Sequence, residues 1–228
     1  PAEASRHAQA QPLQGNGPDG KGDSAEAPLL SRRRFTEPDA HAGMSDLKPN
    51  AASQLRKGRI SKPEARYFIT CCTQDRNTGL EHEHCAIPVL AALNELHTET
   101  SIDLLSATVM PDHVHILMRL GRRLELSQVV GKFKAATRGA LAEGGLAWQD
   151  NYHDHRLRTE DAAESFAQYI FLNPYRADLV PVDETWPWWI LSENYKPEFL
   201  VLLDEPPLPP EEWLGDSPTL EEIVGEDR

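Results

Sequence analysis

No apolar run in this 228-residue chain approaches the roughly 18 residues that a membrane span needs, and no basic stretch followed by an apolar one opens it. A soluble, cytoplasmic protein with no membrane partner is expected. Cysteine is scarce: Cys71, Cys72 and Cys85 are an odd number, and the adjacent pair should point to opposite faces of a strand. They read as reduced core thiols, which excludes a disulfide framework. No ATP-binding motif is present, so nucleotide-driven chemistry is not expected. Net positive charge is also missing, with a formal charge of −13. That total is uneven: residues 1–43 carry 5 basic and 6 acidic groups, residues 44–180 carry 16 and 17, and residues 181–228 carry 2 and 13. The acidity belongs to the C-terminal end, and a local excess can still bind phosphate. Between 119 and 138, Arg119, Arg122, Arg123, Lys132, Lys134 and Arg138 meet only Glu125 within the same window.

Apolar residues make up 39% of the chain and cluster between Arg66 and Val180, enough for a packed core. Residues 1–62 are rich in Pro, Gly, Ala, Ser and Gln without periodicity and are expected to be disordered, with Met44 a candidate start. From Arg66, RYFITCCTQ reads as a strand, about His84 to Thr100 as a helix, and IDLLSATVM as a second strand. Met-Pro-Asp makes a tight turn into HVHILMRL. There Val114, Ile116, Met118 and Leu120 face one way, and His113, His115, Leu117 and Arg119 face the other.

Leu126, Val129, Val130, Phe133, Thr137, Ala140 and Leu141 then recur at helical spacing, and Asn151–Leu157 reads as a fourth strand. Thr159 is the expected N-cap of a last helix, with Glu160 and Asp161 in its first turn. That helix carries the stripe Ala163, Phe166, Ala167 and Ile170 and should stop at Pro174. The order β-α-β-β-α-β-α implies an α+β, ferredoxin-like sandwich: an antiparallel sheet, helices on one face, and an added C-terminal helix. After Val180 a short docked segment around Trp186, Trp188 and Trp189 should lead into a mobile, acidic, Pro-rich tail over 190–228.

Three His-x-His pairs occur, so the spacing alone is weak. His82 and His84 lie in a charged Glu-His-Glu-His loop and read as solvated. His153 and His155 lie on an expected edge strand, where they could orient DNA or simply pack. Only His113 and His115 flank a residue of a strictly apolar strand face, so both imidazoles project to the other side and can chelate a cation. On the last helix Tyr169 and Asn173 stand i, i+4, as neighbours on the flank of the apolar stripe. A tyrosine there is commonly a rim or core residue, and Asn before Pro is a common helix end. Of the five tyrosines, Tyr169 alone has this partner.

VMPDHVHIL followed by QYIFLNPYRADLV resembles the REP-associated tyrosine transposases, relatives of the insertion-sequence single-tyrosine transposases of the HUH type. The likeness runs from about Arg66 to Trp189, within an expected domain of residues 63–189. It rests on His113-Val114-His115, Trp148-Gln149, Asp154-His155, and Tyr169 to Ala177 taken together. The resemblance implies that Tyr169 is the nucleophile and that His113 and His115 hold Mg²⁺ or Mn²⁺, with Asn173 as third ligand. It also implies a DNA endonuclease and strand transferase acting on single-stranded or hairpin DNA through a 5′-phosphotyrosine, as a monomer or homodimer. His155 and Arg176 fall in the shared motifs and join the basic residues above as expected DNA contacts. The chain departs from the family at Asp178, where glycine is common, and in its long ends.

A metal on a non-bridging oxygen offsets the charge that grows as an oxygen attacks a phosphodiester. The phosphotyrosine keeps the ester energy for rejoining. Imidazole ligation alone would equally suit Zn²⁺ or Fe²⁺. A non-catalytic DNA-binding protein of the same fold, and a hydrolase using activated water, are the alternative readings.

Overall fold

The computed structural model describes residues 61–158 and 162–227. The expected N-terminal extension before residue 61 and the expected cap at Thr159, Glu160 and Asp161 lie outside these. Strand β1 (Arg66–Cys72) leads through a single 3-10 turn to helix α1 (Glu83–Thr98), then β2 (Ile102–Val109), β3 (His113–Leu120) and helix α2 (Leu126–Glu143). Strand β4 (His153–Arg156), helix α3 (Ala162–Arg176), β5 (Trp189–Leu191), and the short helices α4 (Trp213–Asp216) and α5 (Leu220–Glu226) follow. The five strands form one antiparallel sheet in the order β4-β1-β3-β2-β5. This is the α+β sandwich expected from the periodicities, with one further strand. No helix among the described residues is long and apolar enough to cross a membrane.

Period-two alternation divides the sheet between two apolar layers. Ile69, Cys71, Val114, Ile116 and Met118 pack beneath α1 and α2, against Val89, Leu93, Val129 and Phe133. The opposite face, carrying Phe68 and Leu117, packs beneath α3 against Phe166, Ala167, Ile170 and Phe171. Each Val, Leu, Ile, Phe or Met among them contributes about 1.5–3 kcal/mol on burial. The face opposite Val114 and Ile116 is thus core as well, and chemical only at the His113 end. A register shift between Leu104 and Ser106 in β2 fits with Leu105 joining the α3 layer while Leu104 stays in the other.

Pro174 does not stop α3, which runs on to Arg176. Proline removes one N–H, but the bonds from Ala177 N to Asn173 O and from Leu179 N to Pro174 O, each 3.0 Å, carry the turn past it. The helix ends where Asp178 takes φ 53°, the left-handed conformation that favours glycine after a helix.

The expected mobile tail is instead folded against α3. Trp189 pairs with Thr108 in the β2–β5 ladder, and Phe199 and Ile223 are buried in the α3 layer. Thr219 caps α5, its N–H donating to Glu222 Oε2 at 2.7 Å. The apolar positions that hold the segment down come in short clusters, Trp188 to Leu191, Phe199 to Leu203 and Ile223 with Val224, set among acids and prolines without a sustained helix or strand period.

Candidate active site

His113 and His115 sit on the α3-covered face of β3, with only 7% and 4% of their surface exposed. Their Nε2 atoms converge to 3.0 Å. Each Nδ1 is held from behind: that of His113 lies 2.6 Å from Asp112 Oδ1, and that of His115 lies 2.9 Å from the Thr70 hydroxyl. The other carboxylate oxygen of Asp112 receives Arg76 Nε at 3.0 Å. Thr70 reaches His115 because the β1–β3 register sets them directly opposite.

These contacts fix the protons. Burial first, then the positive charges of His113 and Arg76, hold the His115 pKa well below the ordinary imidazole value, so His115 is neutral. Burial alone would raise Asp112, but the hydrogen bond and charge of His113, with the Arg76 charge, outweigh it and hold Asp112 below its ordinary value. An ionised carboxylate only accepts, so His113 donates from Nδ1. The direction of the 3.0 Å contact follows from the proton on Nε2: whichever ring carries it donates to the other, and the Thr70 hydroxyl can serve either tautomer of His115.

Helix α3 brings Tyr169 over this pair. Its half-buried ring lies 5.4 Å from the His115 ring at 64° and 6.0 Å from the Phe68 ring at 76°. Phe68 stacks on His115 at 5.1 Å and on Phe166 at 4.9 Å, fixing both strand and helix beneath the tyrosine. Asn173, one turn further along the same helix, is 6% exposed. Thr108 pairs with His115 from the β2 side; it is fully buried and its hydroxyl has no hydrogen-bond partner. A buried hydroxyl without a hydrogen bond on the residue paired with His115 is a polar group still able to take a ligand.

The donor set fits a divalent cation. Two imidazole Nε2 atoms 3.0 Å apart, each ring held from behind at Nδ1, are a donor pair that one divalent cation could share. Among the described residues no group of three or more His, Cys, Asp or Glu side chains could hold a metal, so further protein donors would have to be amide or hydroxyl. Asn173 is the buried amide that α3 offers.

The expected DNA contacts are scattered. Lys132, Lys134 and Arg138 ride on α2, which packs on the opposite face of the sheet from the histidines. Arg119 pairs with Asp103 at 2.8 Å, Arg122 with Glu64 at 2.8 Å, and Lys132 with Glu99. Lys134 donates to the carbonyls of Gln149 and Asn151, at 2.7 Å each. Folding therefore brings acids from outside the 119–138 window against its cations, while Arg123 and Arg138 remain exposed. His155 bonds to Asp227 at 2.7 Å and Arg176 to the Pro218 carbonyl at 3.1 Å, so both are held by the C-terminal segment. His82 and His84 lie at the start of α1 with rings stacked at 5.8 Å. All three cysteines are free and buried, and burial pushes the Cys71 thiol up to about 12.

Sequence reasoning missed Asp112, Arg76, Thr70, Phe68 and Thr108. Asp112 was visible beside His113 but reads as a turn residue. Thr70 and Thr108 become site residues only once the strand register is known.

Residues 61–171 match the family described as Transposase IS200 like. No curated protein matches the chain in sequence. Among solved structures, a REP-associated tyrosine transposase bound to a REP hairpin is similar at 19% identity and a TM-score of 0.49, over 57% of this chain and 79% of that one. A candidate transposase from Deinococcus radiodurans R1 is similar at 24% identity and a TM-score of 0.37, over 50% of this chain and 95% of that one.

Proposed function

Because residues 61–171 belong to the IS200-like transposase family, we propose that this chain cleaves and rejoins single-stranded DNA through a phosphotyrosine on Tyr169. Membership gives it a transposase-type role in DNA processing. The observation that carries the finer reading is the Tyr169 ring lying 5.4 Å from that of His115, above two converging Nε2 atoms.

His113 and His115 would hold a divalent ion, Mg²⁺ or Mn²⁺, with Asn173 as the amide donor. Bound there, the ion would supply Lewis-acid stabilisation of the charge growing on the phosphate. The protein's own work is placement. Phe68 and Phe166 set α3 against β1, and α3 brings the Tyr169 ring to the histidine side of the sheet. A phenol with pKa near 10 attacks only after losing its proton. The phenolate oxygen then bonds to phosphorus as the bond from phosphorus to the 3′ oxygen breaks. The products are a 5′-phosphotyrosine and a 3′ oxyanion, which takes up the proton that the phenol gave up and becomes the 3′-hydroxyl. Rejoining is the reverse attack by a 3′-hydroxyl. Arg176 and His155, on the α3 side with the histidines, are the proposed phosphate contacts.

The test is a denaturing gel of the protein incubated with labelled hairpin single-stranded DNA and Mn²⁺. Wild type should give an adduct that Tyr169→Phe and EDTA both abolish. An adduct that persists in Tyr169→Phe would assign the nucleophile elsewhere, and full cleavage in EDTA would exclude a metal mechanism.

A further inference from the structure

We propose that Asp112, braced by Arg76, is a positioning residue that sets the tautomer of His113 and turns its Nε2 lone pair toward His115. The inference deepens the proposed function and rests on it for the use of that lone pair. The carboxylate holds the ring by a 2.6 Å bond to Nδ1, and a neutral imidazole that donates at Nδ1 can only accept or ligate at Nε2. With Nε2 protonated instead, the face that meets His115 would carry hydrogen where a cation needs a lone pair.

The bracing is itself built. Arg76 Nε meets the far oxygen of Asp112 at 3.0 Å, and its Nη1 reaches Cys72 Sγ at 3.0 Å. To aim there, the chain holds two successive non-glycine residues in the left-handed region, Asp75 at φ 55° and Arg76 at φ 56°. Such conformations persist only where surrounding contacts over-determine them. Here the buried Thr73 supplies those contacts: its N–H donates to the Asp112 carbonyl at 2.9 Å, and its hydroxyl lies 3.0 Å from that carbonyl and 2.7 Å from the Asn77 carbonyl. The turn after β1 is thereby tied to the turn before β3. The Asp112 backbone carries that tie, which leaves the side chain to serve His113.

Because backbone and side chain have separate tasks, Asp112→Ala and Asp112→Asn should fold. Imidazole ¹⁵N shifts of the metal-free protein should show His113 protonated at Nδ1 in wild type and shifted toward the Nε2-protonated form in Asp112→Ala. Mn²⁺ titration should show affinity falling about ten- to a hundred-fold in Asp112→Ala, the usual effect of losing the group behind a ligand. Asp112→Asn, which keeps an acceptor oxygen, should lose less. Arg76→Ala should weaken binding and Arg76→Lys should recover part of the loss. Wild-type His113 protonated at Nε2, or an Asp112→Ala protein with unchanged tautomer and Mn²⁺ affinity, would overturn the inference. A wild type that takes up no Mn²⁺ would overturn the proposed function instead, and the ¹⁵N shifts would still decide the role of Asp112.

Discussion

Asp227, near the C-terminal end, places Oδ2 2.7 Å from Nε2 of His155 on the edge strand β4, and both its carboxylate oxygens also take the Arg158 N–H, at 3.1 and 3.0 Å. The acidic segment is therefore anchored beside the helix that carries Tyr169, and its charge acts close to the groups expected to meet DNA. Deleting the segment would also strip Phe199 and Ile223 from the α3 layer, so charge and packing must be separated. Exchanging the exposed Glu211, Glu212 and Glu221 for Gln leaves that packing intact. The exchanged protein should bind single-stranded DNA more tightly, with the gain largest at low salt because such effects fade as the Debye length shortens to about 8 Å at physiological salt. Equal affinity for both proteins at 50 mM and 300 mM salt would mean the acids are inert toward DNA; these concentrations are roughly chosen to bracket that screening length.

Thr70→Val should weaken Mn²⁺ binding. The Thr70 hydroxyl can donate to His115 Nδ1 or, after rotating, accept from it, so it suits either tautomer of that ring. Valine keeps the shape and can do neither. The loss should be on the order of 1 kcal/mol, about fivefold in affinity, as for one hydrogen bond. Calorimetric titration with Mn²⁺ checks it, and an unchanged affinity would show that the hydroxyl is only packing.

Acid should destabilise the metal-free protein through His115. Its folded-state pKa lies well below the ordinary 6.5, so between those two values the unfolded chain binds a proton that the folded one does not. Stability must then fall as pH drops from about 7.5 to 5.5, with a slope of up to about 1.4 kcal/mol per pH unit from this residue. Asp112 has the opposite origin: its lowered value gives stability that is lost only as pH falls below the ordinary 3.8, outside this window. Urea unfolding in EDTA at several pH values should show the slope in wild type and a shallower one in His115→Gln.

Asp178→Gly should stabilise the fold by roughly 0.5–1 kcal/mol. At φ 53° an aspartate pays a steric cost that glycine does not, partly offset by the greater freedom of glycine in the unfolded chain. The side chain is exposed, so little packing is lost. A rise of a few degrees in Tm is expected. A fall would mean that the carboxylate makes a compensating contact at the end of α3.

Much of this could be read in advance because it depends on period. Strict alternation through Val114, Ile116 and Met118 sends His113 and His115 to one face whatever the tertiary context, and the i, i+4 spacing makes Tyr169 and Asn173 neighbours on any helix. What stayed hidden depends on distance in the sequence. Asp103, Glu64 and Glu99 answer the cations of the 119–138 window from outside it, so a local charge count overstated the free positive charge. The buried Thr108 hydroxyl and the Thr70 contact follow from strand register, which no local pattern specifies. Strand β5 and the docking of Phe199 and Ile223 rest on short apolar clusters in a segment whose acids and prolines suggest a solvated tail.

The order of strands has a consequence for how the two halves of the site open. His113 and His115 belong to β3, which is hydrogen-bonded on one side to β1 and on the other to β2. Freeing their amides to exchange with solvent means parting two ladders in the middle of the sheet, an opening close in cost to unfolding the domain. Tyr169 lies on a helix held to the sheet by side-chain packing and covered on its outer side by short elements. Deuterium uptake should therefore be slowest through His113–Leu120 and measurably faster along Ala162–Arg176. The half that carries the two histidines would then remain assembled through local openings in which the helix of Tyr169 takes part.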